Sequence, residues 1–127
     1  EVEFISDLLP ALLERADLVV CRAGANTIAE LALFAAPALL IPLSTASSRG
    51  DQVDNAKVLA QRGAARVLFG EIDSETFQHE VSTLLADDGA RRAYRDAIGT
   101  LAQRASASLI ATLVREQGMR RQVCSGE

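Results

Sequence analysis

The sequence predicts an α/β fold in which helices flank a parallel sheet, and three observations predict it. Short apolar runs of strand length alternate with segments of helical periodicity. Hydrophobic content is 49% but aromatic content only 4%, with no Trp, so the core must be packed from Ala, Leu, Val and Ile, as where helices layer on a parallel sheet. Small polar loops recur where the apolar runs end. At 127 residues the chain suffices for one compact domain and is too short for two.

Residues 6–16 read as a short helix, with Ser6 as its N-cap and Pro10 expected to confine or kink its first turn. Leu18 to Cys21 is a continuous, β-branched apolar run, the pattern of a strand buried on both faces. Arg22, Ala23 and Gly24 interrupt it, and a helix follows from Ala25 until Ala36 and Pro37 stop it. The unit then repeats. Ala38 to Leu43 is a second buried strand, Ser44 to Gly50 a polar loop, Asp51 to Arg62 a helix closed by Gly63, and Ala65 to Phe69 a third strand. Such alternation implies right-handed crossovers, a Rossmann-like parallel sheet, and ligands at the carboxyl ends of the strands. Helices are expected over Ser74 to Ala86, Gly89 to Arg104 and Ser106 to Arg115. One domain is expected over residues 1–117, with a disordered tail over 118–127.

Several function classes are excluded or disfavoured by composition. A formal charge of -4 and a pI near 5.0 give no general attraction to nucleic acid, and Arg115, Arg120 and Arg121 read as a solvated terminus. Cys21 and Cys124 lack the spacing of a metal site or a disulfide framework, which fits a reduced cytoplasm. No apolar stretch reaches the roughly 18 residues of a membrane span. Neither metal nor cofactor is expected. His79, the only histidine, reads as a surface residue, and no Ser–His–Asp order, P-loop or H-E-x-x-H occurs. No catalytic residue is therefore assigned. The chain opens at Glu1 without Met inside a structured-looking segment, which predicts a piece of a longer polypeptide.

Two constellations carry polar chemistry. Residues 21–30 (CRAGANTIAE) bring a helix start to the lip of the sheet, where free N–H groups and the helix dipole form an anion site. Gly24 and Ala25 would admit a diphosphate closely, with Asn26 and Thr27 as donors. Glu30 has two readings: Thr27-x-x-Glu30 is a capping-box pattern, and a carboxylate there suits two ribose hydroxyls. Arg22 either pairs with phosphate or ties the loop to Asp17 or Glu30. The second constellation, residues 44–56, is a hydroxyl-rich loop with a lid-like role, running into a helix for which Asp51 reads as the N-cap. Gln52 and Asn55 lie on one face of that helix, where amides could read sugar hydroxyls.

The run from Ala16 to Leu43, followed by Ser48 to Leu68, resembles the C-terminal domain of the MurG glycosyltransferases. The likeness extends over about residues 1–116 and rests on R-x-G-A-x-T-x-x-E, a strand ending in Pro42, and D-Q-x-x-N-A, in that order. The resemblance implies one half of a GT-B enzyme of two Rossmann-like domains, with UDP-GlcNAc held here. The undecaprenyl-linked acceptor and the proposed base then belong to an N-terminal domain, so this chain alone is not expected to turn over. It implies that Phe4 and Ile5 border the uracil, that Ala25, Asn26 and Thr27 line the diphosphate, and that Glu30 holds the ribose. Asp51 and Gln52 would face the GlcNAc hydroxyls, with Asn55 close by. It further implies inverting transfer from UDP-GlcNAc to lipid I, giving lipid II, by a protein peripheral on the cytoplasmic face of the inner membrane.

Asp51 departs from the Gln of some relatives, and Ala35-Ala36-Pro37 replaces a Gly-containing turn. Other readings remain: the donor domain of another GT-B transferase in glycolipid synthesis, a non-catalytic nucleotide-sugar-binding subunit, or an α/β domain whose polar loops are only structural.

Overall fold

The computed structural model describes residues 7–44, 46 and 50–105. Strands β1 (Val19–Cys21), β2 (Ala38–Leu40) and β3 (Arg66–Val67) form one parallel sheet in the order β1-β2-β3. They alternate with helices α1 (Leu9–Arg15), α2 (Ala25–Leu33), α3 (Asp51–Gln61) and α4 (Ser74–Ala86), and a further helix, α5, covers residues 88–105. The α/β class expected from the sequence is what the chain adopts. The expected helix over Ser106 to Arg115, the tail after it, Ser6, and most of the loop at 44–50 lie outside the described residues.

Register divides the sheet into two faces. Val20, Leu39 and Arg66 pair in one row, and Cys21, Leu40 and Val67 in the next, so alternation sends these rows to opposite sides. Cys21, Leu40 and Val67 join Leu31, Ala32, Ala56, Leu59 and Ile98 in the main core, the side covered by α2, α3 and α5. Arg66 reaches α4 on the other side, its Nε and Nη2 donating to the two Glu80 carboxylate oxygens at 2.9 and 2.8 Å. That fork holds Glu80's carboxyl below its usual range.

β2 is buried throughout, as a central strand with neighbours on both edges must be. The same expectation fails for β1: Val20 is 41% exposed. β1 is an outer strand of the described sheet, and α4 on Val20's side packs towards β3 through Glu80, leaving Val20 uncovered among the described residues. The regular strands are also shorter than the apolar runs. Ladder bonds continue one residue further, from Ile41 N–H to Cys21 O and Leu68 N–H to Leu40 O, but Pro42 has no N–H to extend them.

Two helix ends share one device. α3 closes with Gly63 left-handed at φ 61°, the Ala64 N–H bonding to Leu59 O and the Gly63 N–H to Ala60 O, a Schellman motif. α2 closes in the same pattern, Ala36 N–H to Leu31 O and Ala35 N–H to Ala32 O, but the left-handed residue is Ala35 at φ 48°. A Cβ in that region costs about 1–2 kcal/mol. The replaced glycine noticed in the sequence is therefore a point of backbone strain. α5 passes close to Ala35 at Gly99, where any added Cβ would lie 3.3 Å from the Ala35 Cβ.

Ala35→Gly relieves the left-handed strain while giving back some unfolded-state entropy. It is expected to raise stability by about 0.5–1 kcal/mol in urea denaturation. A loss of stability would show that the Ala35 methyl's packing outweighs the strain.

Candidate functional site

The carboxyl ends of β1 and β2 carry both polar loops, and the residues there are placed by the strands beneath them. At the end of β1, Cys21 is half-buried and burial pushes its thiol up to about 11, so it stays a neutral packing group at physiological pH and offers no thiolate nucleophile. Ala23 is fully buried. Gly24 then caps α2 in extended conformation with no side chain to satisfy the first turn. The bond from Ile28 N–H to Gly24 O, 3.0 Å, starts the helical ladder. The N–H groups of Ala25, Asn26 and Thr27 precede it and lie at the positive end of the helix dipole.

This geometry corrects the capping-box reading. With Gly24 as the cap, Thr27 is the third helical residue and Glu30 the sixth, so Glu30 stands in the second turn and cannot reach back to a Thr27 cap. Its side chain is exposed on the same helix as the open N–H groups. Asp51 is corrected similarly: Gly50, left-handed at φ 85°, is the N-cap of α3. Asp51 is its first helical residue, exposed, an acidic group complementing the dipole. Only Gly takes the left-handed geometry at that cap without strain, and it displaced the side-chain cap expected from sequence.

Gln52 and Asn55 do structural work that spacing alone did not disclose. Asn55 Nδ2 donates to Ala23 O at 3.2 Å, tying the second turn of α3 to the loop that opens α2. Gln52 Oε1 accepts from Leu43 N–H at 3.0 Å, tying the first turn of α3 to the end of β2. The two amides thus bring α3's first turns beside the start of α2, and Ala23, Gly24, Gln52 and Asn55 form one polar rim.

Arg22 takes neither of the internal partners expected for it. Its Nη1 donates to Ile41 O at 3.0 Å, so the guanidinium lies across the ends of β1 and β2 instead of turning to Asp17 or Glu30. There it lines a cavity of about 360 Å³ with Ile41, Gly70, Asp73, Ser74 and Phe77. The sequence reading passed over this β3–α4 side. Its one signal was Asp73, which caps α4 through a 2.7 Å bond from Thr76 N–H, a bond that holds its carboxyl below the usual range. Phe4 and Ile5 lie outside the described residues. His79 is exposed, as expected. Among the described residues no cluster has the composition of a metal site, and no helix is long and apolar enough to cross a membrane.

A parallel α/β sheet with an uncapped helix start and a polar rim at its carboxyl edge is an arrangement of the Rossmann-like class. Residues 2–112 match the family described as the glycosyltransferase family 28 C-terminal domain, and the chain belongs to that family. It is 47% identical over 85 residues to a UDP-N-acetylglucosamine--N-acetylmuramyl-(pentapeptide) pyrophosphoryl-undecaprenol N-acetylglucosamine transferase of Shouchella clausii (strain KSM-K16), covering 66% of this chain and 24% of that protein. An enzyme of the same name from Geobacillus thermodenitrificans (strain NG80-2) is 51% identical over 71 residues, 56% of this chain and 20% of the relative. The chain thus spans about a quarter or less of the length of these relatives. A solved structure, the glycotransferase of kitacinnamycin, superposes with a TM-score of 0.53 at 26% identity, covering 83% of this chain and 27% of that one.

Asn55→Ala is expected to cost about 1–2 kcal/mol in urea denaturation, since it leaves the buried loop's Ala23 carbonyl without its donor. No change would mean that the loop holds its shape without the α3 tie.

Proposed function

We propose that this chain is the donor-binding part of an inverting glycosyltransferase that moves N-acetylglucosamine from UDP-GlcNAc to an undecaprenyl-pyrophosphoryl acceptor, the lipid I to lipid II step. The observation that carries the reading is the uncapped start of α2 at the carboxyl edge of the sheet, with the rim of Gln52 and Asn55 beside it. The relatives' names supply the donor and acceptor chemistry.

In this reading the N–H groups of Ala25, Asn26 and Thr27 take the diphosphate, because unsatisfied donors and the dipole both favour anions there. Glu30, one turn further and exposed, accepts from the two ribose hydroxyls. Phe4 and Ile5 border the uracil. Gln52, whose amide nitrogen has no partner among the described residues, and Asp51 face the sugar hydroxyls, with Asn55 fixing the loop under them. A glycosidic bond forms between the acceptor hydroxyl and the anomeric carbon as the bond from that carbon to the diphosphate oxygen breaks. UDP leaves with the electron pair, and the hydroxyl proton passes to a base on the acceptor-binding domain. The α2 N-terminus contributes by stabilising the charge that grows on the diphosphate. A protein acting on such an acceptor works at the cytoplasmic membrane surface.

Calorimetric titration with UDP-GlcNAc, UDP-glucose and UMP tests this. UDP-GlcNAc is expected to bind tightest, and Glu30→Ala to weaken it about tenfold or more through loss of charge-assisted hydrogen bonds. Unchanged affinity in Glu30→Ala would remove the ribose role. Equal affinity for all three ligands would remove the sugar contacts.

A further inference from the structure

Resting on that reading, we infer that Arg22 is a positioning residue of the donor site: by taking Ile41 O it stops the β1–β2 ladder and locks the start of α2 to the first turns of α3.

The sheet's own register shows what Arg22 displaces. Val19 pairs with Ala38 and Cys21 with Leu40, and the ladder bonds follow, Val19 N–H to Pro37 O and Ile41 N–H to Cys21 O. Parallel pairing repeats every two residues, so the next pair due is Ala23 with Pro42. Its rungs would be Ala23 N–H to Ile41 O and Leu43 N–H to Ala23 O. Neither forms. All three backbone partners left over are taken by side chains instead: Ile41 O by Arg22 Nη1 at 3.0 Å, Leu43 N–H by Gln52 Oε1 at 3.0 Å, and Ala23 O by Asn55 Nδ2 at 3.2 Å. The strands part at this level, and Gly24 opens α2 directly after it.

The three bonds close a circuit. Arg22 ties the end of β1 to the end of β2, Gln52 ties the end of β2 to α3, and Asn55 ties α3 back to the residue beside Arg22. Arg22 is exposed, and one exposed hydrogen bond holds little. Within a circuit each bond forms between ends that the other two already hold, so it costs less conformational entropy, and losing one loosens the others. Asn55 fixes the loop under the diphosphate site and Gln52 faces the sugar. Arg22 therefore sets the spacing between diphosphate and sugar contacts without touching the donor.

NMR, calorimetry and urea denaturation of the wild-type chain, Arg22→Lys, Arg22→Gln, Asn55→Ala and the double variant of the last two test this. Without ligand, Arg22→Gln is expected to shift the amides of Ala25 to Thr27 and of Gln52 and Asn55, none of which Arg22 touches. Arg22→Lys, which keeps a donor, should shift them less. The stability losses in Arg22→Gln and Asn55→Ala should be non-additive, the second substitution costing less once the first is made. Arg22→Gln should lower the preference for UDP-GlcNAc over UDP about fivefold, with partial recovery in Arg22→Lys. An equal loss of affinity for UDP-GlcNAc and UDP, with ligand-free shifts confined to residues 21–24, would make Arg22 a direct phosphate ligand and overturn the positioning role. Additive losses of stability would overturn the circuit. Remote shifts and non-additivity in a chain that binds neither ligand would support the circuit and overturn the donor reading.

Discussion

The polar loops at the carboxyl edge of the sheet are arranged around one constraint, the burial of β2. Ala38, Leu39 and Leu40 are completely inaccessible, so their backbone groups must find partners inside the sheet, since an unpaired buried amide costs on the order of 1–3 kcal/mol. β1 and β3 supply those partners from the two edges. Parallel pairing then forces the chain to cross back over the sheet by a helix each time, and the strands' carboxyl ends point one way. Pro42, buried just past the strand, ends the ladder. The two polar loops after β1 and β2 gather at the edge where both strands stop.

Shape at that edge is held by side-chain amides more than by the loops' own turns. Asn55 on Ala23 O and Gln52 on Leu43 N–H fasten α3 to the loop before α2, 32 residues away in sequence, and to the end of β2, 9 residues away. This arrangement leaves the α2 N–H groups open while fixing where they point. In the proposed function such a site works through preorganisation: the donors are already aimed, and little reorganisation would accompany charge arriving on a diphosphate. Arg22 is held in the same way, its bond to Ile41 O fixing the guanidinium across the ends of β1 and β2.

Much of the fold was legible because its signals are local. Alternating apolar runs and helical periodicity located all three strands and the helices from Ala25 to residue 105, and the ordered motifs pointed to the family that the chain belongs to. What sequence missed was decided by choices between competing local rules. Thr27 and Glu30 have capping-box spacing, but Gly24 starts the helix three residues earlier, and Asp51 lost the cap to a left-handed Gly50. Continuous apolar residues implied burial of β1 on both faces, yet only its position in the sheet could reveal that Val20 is left open. The partners of Asn55 and Arg22, and the cavity on the β3–α4 side, depend on non-local geometry that no spacing encodes.

The central claim is that the start of α2 holds the donor's diphosphate, and the most direct measurement is the response of individual backbone amides. In 15N-resolved NMR, UDP-GlcNAc and UDP are expected to move the Ala25, Asn26 and Thr27 amide protons downfield, as hydrogen bonds to phosphate do, while uridine leaves them in place. Shifts confined to other residues, or equal shifts with uridine, would contradict the account.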